Sequence, residues 1–207
     1  MVDMQIEKTL SDTQKNLLLI SGEINDVVIG VPHHAPLGVT NLPCKEHPDA
    51  DENAGYLGYE IACLLNCNCI IACNYDVNPN GSEDTEYSKK ILSWMPKFLI
   101  EIHGHGGKSA KFDIEISSGS EKNNNFSLKL AEYLRLKFSG LPLLKQYTIS
   151  GDFKKIHFKA TRSFTIQRNE WISYHIELPK SIRQSKEEYL LFCKYLAEAV
   201  KELLLLS

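Results

Sequence analysis

Nowhere in its 207 residues does the chain carry the 18 or more consecutive apolar residues that a membrane-spanning helix needs, and the terminal leucine run, Leu203 to Leu206, is far too short. The opening stretch, MVDMQIEKTLSDTQKN, lacks the basic region and long apolar segment of a secretory leader. The chain therefore reads as soluble and cytoplasmic, with no membrane partner. It also lacks a basic excess: 23 Lys and Arg are interspersed with 26 Asp and Glu, a formal net charge of -3. No stripe of cations exists to neutralise a phosphate backbone, which excludes nucleic acid and leaves a small-molecule substrate as the expected partner. A disulfide framework is not called for either, because a chain of this size without a leader needs no staples. Four of the six cysteines crowd into CLLNCNCIIAC, from Cys63 to Cys73. Their spacing matches neither a zinc ribbon nor a ferredoxin loop, and the interleaved Leu, Ile and Ala read as a helix end and a buried strand in which cysteine packs as a small hydrophobe.

What is present is a core. At 43% hydrophobic and 9% aromatic content, the composition supports one α/β domain over residues 1–207. Asn16 to Ser21 reads as a first strand leading into Val27 to Val31, a contiguous β-branched run that Pro32 stops, the two strands forming a hairpin or an adjacent pair. A helix follows over Asn53 to Asn66, with Asp51 or Asn53 as its N-cap, then a strand over Cys69 to Cys73 and a turn-rich loop from Tyr75 to Ser82. The next helix spans Glu83 to Trp94 and the next strand Lys97 to Ile102. Beyond them come a strand at Phe112 to Ile116, an amphipathic helix at Phe126 to Phe138, and a stretch without period, Leu143 to Lys159, that reads as a covering or substrate loop. Ser163 to Gln167 and Trp171 to Leu178 read as strands around an Arg168-Asn169 turn, and Ser185 to Leu206 as a long closing helix. Strands alternating with helices imply a three-layer sandwich with a mixed, mostly parallel sheet.

The chemistry lies at strand ends, where open α/β sheets bind their ligands. VVIGVPHHA delivers His33 and His34, and KFLIEIHGHGG delivers His103 and His105 with Glu101 on the same face. WISYHIELP delivers Glu177, with His175 beside it on that face, just before Pro179 ends the strand. Two imidazoles and one carboxylate are a common catalytic zinc set that leaves a position open for water. Asp49, Asp51 and Glu52 can supply the acid, and Glu52 is best placed because the helix begins just after it. A further carboxylate beside the metal can act as general base, which fits Glu177.

This order of motifs resembles the N-formylglutamate amidohydrolase-like family, related to the zinc carboxypeptidase and succinylglutamate desuccinylase fold. PHHA at Pro32 to Ala35 is similar to that family's Pro-His-Ser-Gly, DE at Asp51-Glu52 to its acidic ligand, IEIHGH at Ile100 to His105 to its second histidine strand, and HIEL at His175 to Leu178 to its late glutamate. The resemblance implies zinc on His33, Glu52 and His103, with Glu177 as acid and base, and a zinc-dependent amidohydrolase acting on a small N-acyl amino acid or similar carboxylate. His34-Ala35 stands where the family has Ser-Gly, so His33 and His34, like Asp51 and Glu52, stay alternatives. A substrate carboxylate needs a guanidinium clamp. Arg162, Arg168 and Arg183 can each supply one, and we assign substrate binding to Arg183, His105 and Arg168. The competing class is a non-catalytic metal- or ligand-binding protein that keeps the fold. Glu177 separates the two, because a binding module has no use for a base.

Overall fold

The computed structural model describes residues 4–205. In chain order the elements are α1 (Met4–Ser11), β1 (Asn16–Ile20), β2 (Ile24–Ala35), β3 (Asp51–Glu52), α2 (Ala54–Leu65), β4 (Cys67–Cys73), α3 (Glu86–Trp94), β5 (Phe98–His105), β6 (Ile114–Ser117), α4 (Asn124–Ser139), β7 (Ile149–Ser150), β8 (Ile172–Pro179), α5 (Lys180–Gln184) and α6 (Lys186–Leu205). The strands form one eight-stranded sheet in the order β1-β4-β2-β5-β8-β6-β7, with β3 pairing β2. The central strands β4, β2, β5 and β8 run parallel, while β1 is antiparallel to β4, and β6 is antiparallel to β8 but parallel to β7. The sheet is therefore mixed and mostly parallel, with helices on its faces. Among the described residues no helix is long and apolar enough to cross a membrane.

Alternation along the strands builds two unequal faces. Val27, Ile29, Ile100, Ile102, Tyr174 and Ile176 point to one side, where α2, α4 and α6 cover them with residues such as Leu57, Leu134 and Leu196. Cys67, Cys69 and Cys73 belong to this core, all six cysteines are free, and only Cys63 is exposed. The other face is apolar only towards the amino ends of the parallel strands, where Val28, Ile70 and Leu99 meet Tyr87, Ile91 and Trp171. Towards the carboxyl ends it turns polar.

Three expectations are corrected. β1 pairs with β4 and not with β2, because β4 lies between them. Ser163 to Gln167 forms turns and no strand: Ile166 joins the smaller core and Trp171 Nε1 donates to the Thr165 carbonyl, so the segment folds back on the start of β8. Pro32 does not end β2, which runs on to Ala35. A proline has no N–H to give a ladder and is tolerated at a bulge, and the pairing of β2 with β4 shifts register between Val31 and His34. That slip of one residue decides which histidine faces which side.

His34 turns to the helical face. Its Nε2 lies 3.0 Å from the Leu10 carbonyl and its Nδ1 accepts the Gly55 N–H at 3.0 Å, so this ring, and no Asp51 or Asn53 side chain, satisfies the start of α2. Gly55 permits the approach, since a Cβ there would stand 2.7 Å from the imidazole. Burial lowers the His34 pKa to about 4, leaving the ring neutral as this double bond requires. Replacing His34 by Leu would strip two buried backbone groups of their partner, at about 1–3 kcal/mol each. We expect chemical denaturation to register that loss while the folded variant binds zinc like the wild type; unchanged stability with lost zinc would place His34 in a metal site.

Candidate metal centre

Across the polar half of the open face the strands present side chains in register. His103 on β5 stands beside Glu177 on β8 and Glu115 on β6, and one step earlier Glu101 stands beside His175 and Ser117. His33 joins them from β2 by virtue of the bulge. β3 adds the carboxylate. Its two residues are extended and adjacent, so they point opposite ways. Asp51 turns inwards, its Oδ2 3.6 Å from His33 Nδ1 and 3.4 Å from His103 Nδ1, and all three residues are buried. Glu52 turns outwards, accepting the Gly38 N–H at 2.9 Å and meeting Lys180 Nζ at 2.8 Å. The structure thus brings Asp51, and not Glu52, to the two imidazoles.

The ring tautomers follow from the outer partners. His33 Nε2 lies 3.1 Å from Asn78 Oδ1 and His103 Nε2 lies 3.4 Å from Glu101 Oε2, both acceptors. Each Nε2 therefore carries a proton, and each Nδ1 is left facing Asp51, where a neutral ring offers its lone pair. Glu101 is itself fully buried and fixed, accepting from Asn80 at 2.8 Å, Thr165 at 2.7 Å and Tyr87 at 3.1 Å. Yet His33 Nδ1 and Asp51 Oδ2 have no hydrogen-bond partner. Leaving buried polar atoms unpaired is costly, unless a ligand completes them. Donor atoms each about 2.0–2.2 Å from a tetrahedral ion stand about 3.3–3.6 Å apart. The separations of 3.4 and 3.6 Å fit that spacing, so His33, Asp51 and His103 could hold a metal ion together.

The electrostatics favour a cation at this place. Burial opposes charge on Asp51, but the close approach of the His103 and His33 rings holds its carboxyl well below the usual range. Burial would lower the His103 pKa, yet Asp51 and Glu101 on its two sides push it up to about 10. Glu177 is the next carboxylate. Its Oε1 receives His175 Nε2–H at 3.0 Å, while Oε2 is buried without a partner. Burial raises its pKa, but His175 and then the charge of His103 bring it below the ordinary carboxylate value, which leaves a base.

The other sequence candidates lie elsewhere or are engaged. The Arg183 guanidinium is buried on carbonyls, donating to Leu178, Glu52 and His105, and Gly104 gives it room. These three bonds tie the β3 and β5 ends to α5 and use three of its five N–H donors, while the residue also lines a cavity of about 530 Å3. Arg168 pairs with Glu170 in a partly exposed bridge and lies over the Phe164 ring. His105 has both ring nitrogens on backbone, the Asp113 carbonyl at 2.8 Å and the Gly107 N–H at 3.1 Å. Sequence reading missed His47, which comes from the loop between β2 and β3 and stacks on His33 with centroids 3.7 Å apart. Asn78, which the turn-rich loop after β4 brings to the same sheet edge, is the outer partner of His33.

Two cavities, of about 560 and 530 Å3, meet at this centre and share His47, His103, Phe158 and Glu177 in their walls. No protein-family model matches the chain, and no curated protein matches its sequence. Solved structures do match in fold. A bacteriophage poly-gamma-glutamate hydrolase aligns at 11% identity over 93% of this chain and 91% of that one, with a TM-score of 0.57. The catalytic domain of an N-acetylmuramoyl-L-alanine amidase from Bacillus (Paenibacillus) polymyxa aligns at 12% identity over 86% and 98%, with a TM-score of 0.54. An N-formylglutamate amidohydrolase from Ralstonia eutropha aligns at 11% identity over 87% and 94%, with a TM-score of 0.49, too distant to carry weight. These likenesses establish the fold.

The geometry separates the two acidic candidates by experiment. Asp51→Ala should abolish stoichiometric zinc binding in equilibrium dialysis, whereas Glu52→Ala should keep it. The opposite pair of results would return the acidic ligand to Glu52.

Proposed function

We propose that the chain is a zinc-dependent hydrolase that cleaves an amide bond of a small N-acyl amino acid or similar carboxylate, with the metal on His33, Asp51 and His103 and with Glu177 as acid and base. The observation that carries the reading is a set of buried, unpartnered atoms at one place: His33 Nδ1, Asp51 Oδ2 and Glu177 Oε2. The donor set is two imidazole nitrogens and one carboxylate oxygen, which suits zinc and leaves a position for water. The names of two structures with this fold, a poly-gamma-glutamate hydrolase and an N-acetylmuramoyl-L-alanine amidase, agree with a hydrolytic role.

When bound, zinc polarises a carbonyl and acidifies water. The chain's own part is proton handling and exclusion of solvent. His175 holds Glu177 by Oε1, so Oε2 is the oxygen left to take a proton from the attacking water and to pass it to the departing amine. Because the pair His175 and Glu177 is almost wholly buried, the proton stays within the site. Glu101 and Asn78 keep both ligand rings in the tautomer that the metal needs. A non-catalytic binding role would use the three ligands, but it gives no reason for a buried carboxylate with one oxygen free.

Glu177→Gln tests this. The amide is nearly isosteric and the residue is no ligand, so zinc content should remain at one per chain. Turnover of a panel of N-formyl, N-acetyl and N-succinyl amino acids should fall by on the order of 10²–10⁴. Equal rates for wild type and variant would reduce Glu177 to a structural carboxylate.

A further inference from the structure

Glu115 is a fully buried carboxylate to which the reaction assigns no role. It stands next to Glu177 in register but spends all its acceptor capacity on backbone. Oε1 accepts the N–H groups of Lys111 and Phe112 at 2.7 and 3.2 Å, and Oε2 those of His157 and Phe158 at 2.7 and 2.8 Å. The segment beginning at His157 is tied down further on. Ser117 Oγ donates to the Lys159 carbonyl at 2.8 Å, Gln167 Nε2 donates to the Ala160 carbonyl at 2.9 Å, and Phe158 stacks on His105 with centroids 5.6 Å apart. Ala160 itself is held at φ 52, a left-handed conformation that a non-glycine residue adopts at some expense. A stretch without helix or strand has thus been made rigid by a buried charge, three further ties and local strain.

What this rigid stretch presents is cationic. Lys159 and Arg162 line the 560 Å3 cavity together with His157, and of all the residues that line it Glu177 alone is acidic. The preceding lysines of the same stretch, Lys154 and Lys155, are neutralised by Glu121 and Asp152. Lys159 has only the Phe153 ring beneath it, at 5.2 Å, and Arg162 forms no ion pair among the described residues. The 530 Å3 cavity on the other side of the centre is mixed in charge, with Asp49, Glu52, Lys108 and Lys180 in its wall. Of the three arginines that could clamp a carboxylate, Arg168 is paired with Glu170, Arg183 is held on carbonyls and lines the 530 Å3 cavity, and Arg162 is the one that lines the 560 Å3 cavity.

We infer that Arg162, supported by Lys159 on a wall preorganised by Glu115, is the specificity-determining residue that receives an anionic group of the substrate, a carboxylate lying on the 560 Å3 side of the metal centre. A planar guanidinium suits a carboxylate in two parallel hydrogen bonds, and a wall fixed before binding loses little entropy on closing that contact. The inference rests on the metal-hydrolase reading above, and it adds which end of the substrate is charged and where that charge sits.

The test uses the zinc-loaded protein and two probes that share a metal-binding hydroxamate: succinic monohydroxamate, with a carboxylate at its far end, and the corresponding primary amide. Titration calorimetry should find the carboxylate probe bound about 10–100-fold more tightly, the range of a charged hydrogen-bonded contact. Arg162→Ala should bring the two probes within about threefold of each other, with the affinity of the amide unchanged, whereas Arg168→Ala should keep the full preference. Equal binding of both probes by the wild type overturns the cationic wall and leaves the metal reading standing, as does a preference that survives Arg162→Ala. Failure of both probes to bind the wild type overturns the metal reading and this inference with it.

Discussion

The centre depends on one buried carboxylate. Asp51 is taken out of water at a point where no Lys or Arg reaches it, and a charge so placed is tolerated only if opposite charge or strong donors surround it. Two imidazoles converge on its Oδ2 at 3.6 and 3.4 Å, yet Oδ2 is left without a hydrogen-bond partner. A metal ion at this point would complete the set, and the proposed function rests on that. Asn78 and Glu101 contribute indirectly: by accepting from Nε2 they leave each Nδ1 facing Asp51. Their own positions are fixed from further out, Glu101 by Tyr87, Asn80 and Thr165, so the order of the site is inherited from α3 and from the loops that follow β4 and precede β8.

Much of this was legible in the sequence because strands announce their ends. Apolar runs closing in HH, HGH and HIELP fix which edge of the sheet carries chemistry, and alternation alone puts Glu101, His103, His175 and Glu177 on one face. What could not be read was parity. Whether His33 or His34 faces the site depends on a one-residue register shift near Pro32, and a bulge has no signature beyond the proline itself. Asp51 and Glu52 pose the same problem. Proximity to a helix start favours Glu52, but the facing of a two-residue strand is set by its pairing with β2, a long-range contact. The arginines pose a different problem. Sequence displays a guanidinium but not its partners, and Arg183 and Arg168 are each occupied by neighbours, the former by carbonyls gathered from three elements.

The segment from Leu143 onwards illustrates a further limit. Periodicity detects order that comes from burying one face of a helix or strand, and this segment has neither period. Its order comes from side chains elsewhere binding its backbone: Glu115, Ser117 and Gln167 supply the partners that a ladder or a helix would otherwise provide. A single acidic residue in the short strand β6 thereby substitutes for secondary structure, and nothing local to the segment reveals it.

Two fully buried glutamates thus divide the work of one sheet face. Glu101 accepts from side chains and fixes the His103 ring; Glu115 accepts from backbone and fixes the segment that walls the 560 Å3 cavity. Each lies within one register step of Glu177, the carboxylate left with an unoccupied oxygen. Satisfied carboxylates can be buried safely, and their rigidity is what allows an unsatisfied one to be held between them in a defined direction. The opposite face needs no such arrangement. Apart from His34 it is apolar and covered by α2, α4 and α6, so the stability that offsets a polar, partly unpaired half-face comes from the opposite side of the sheet.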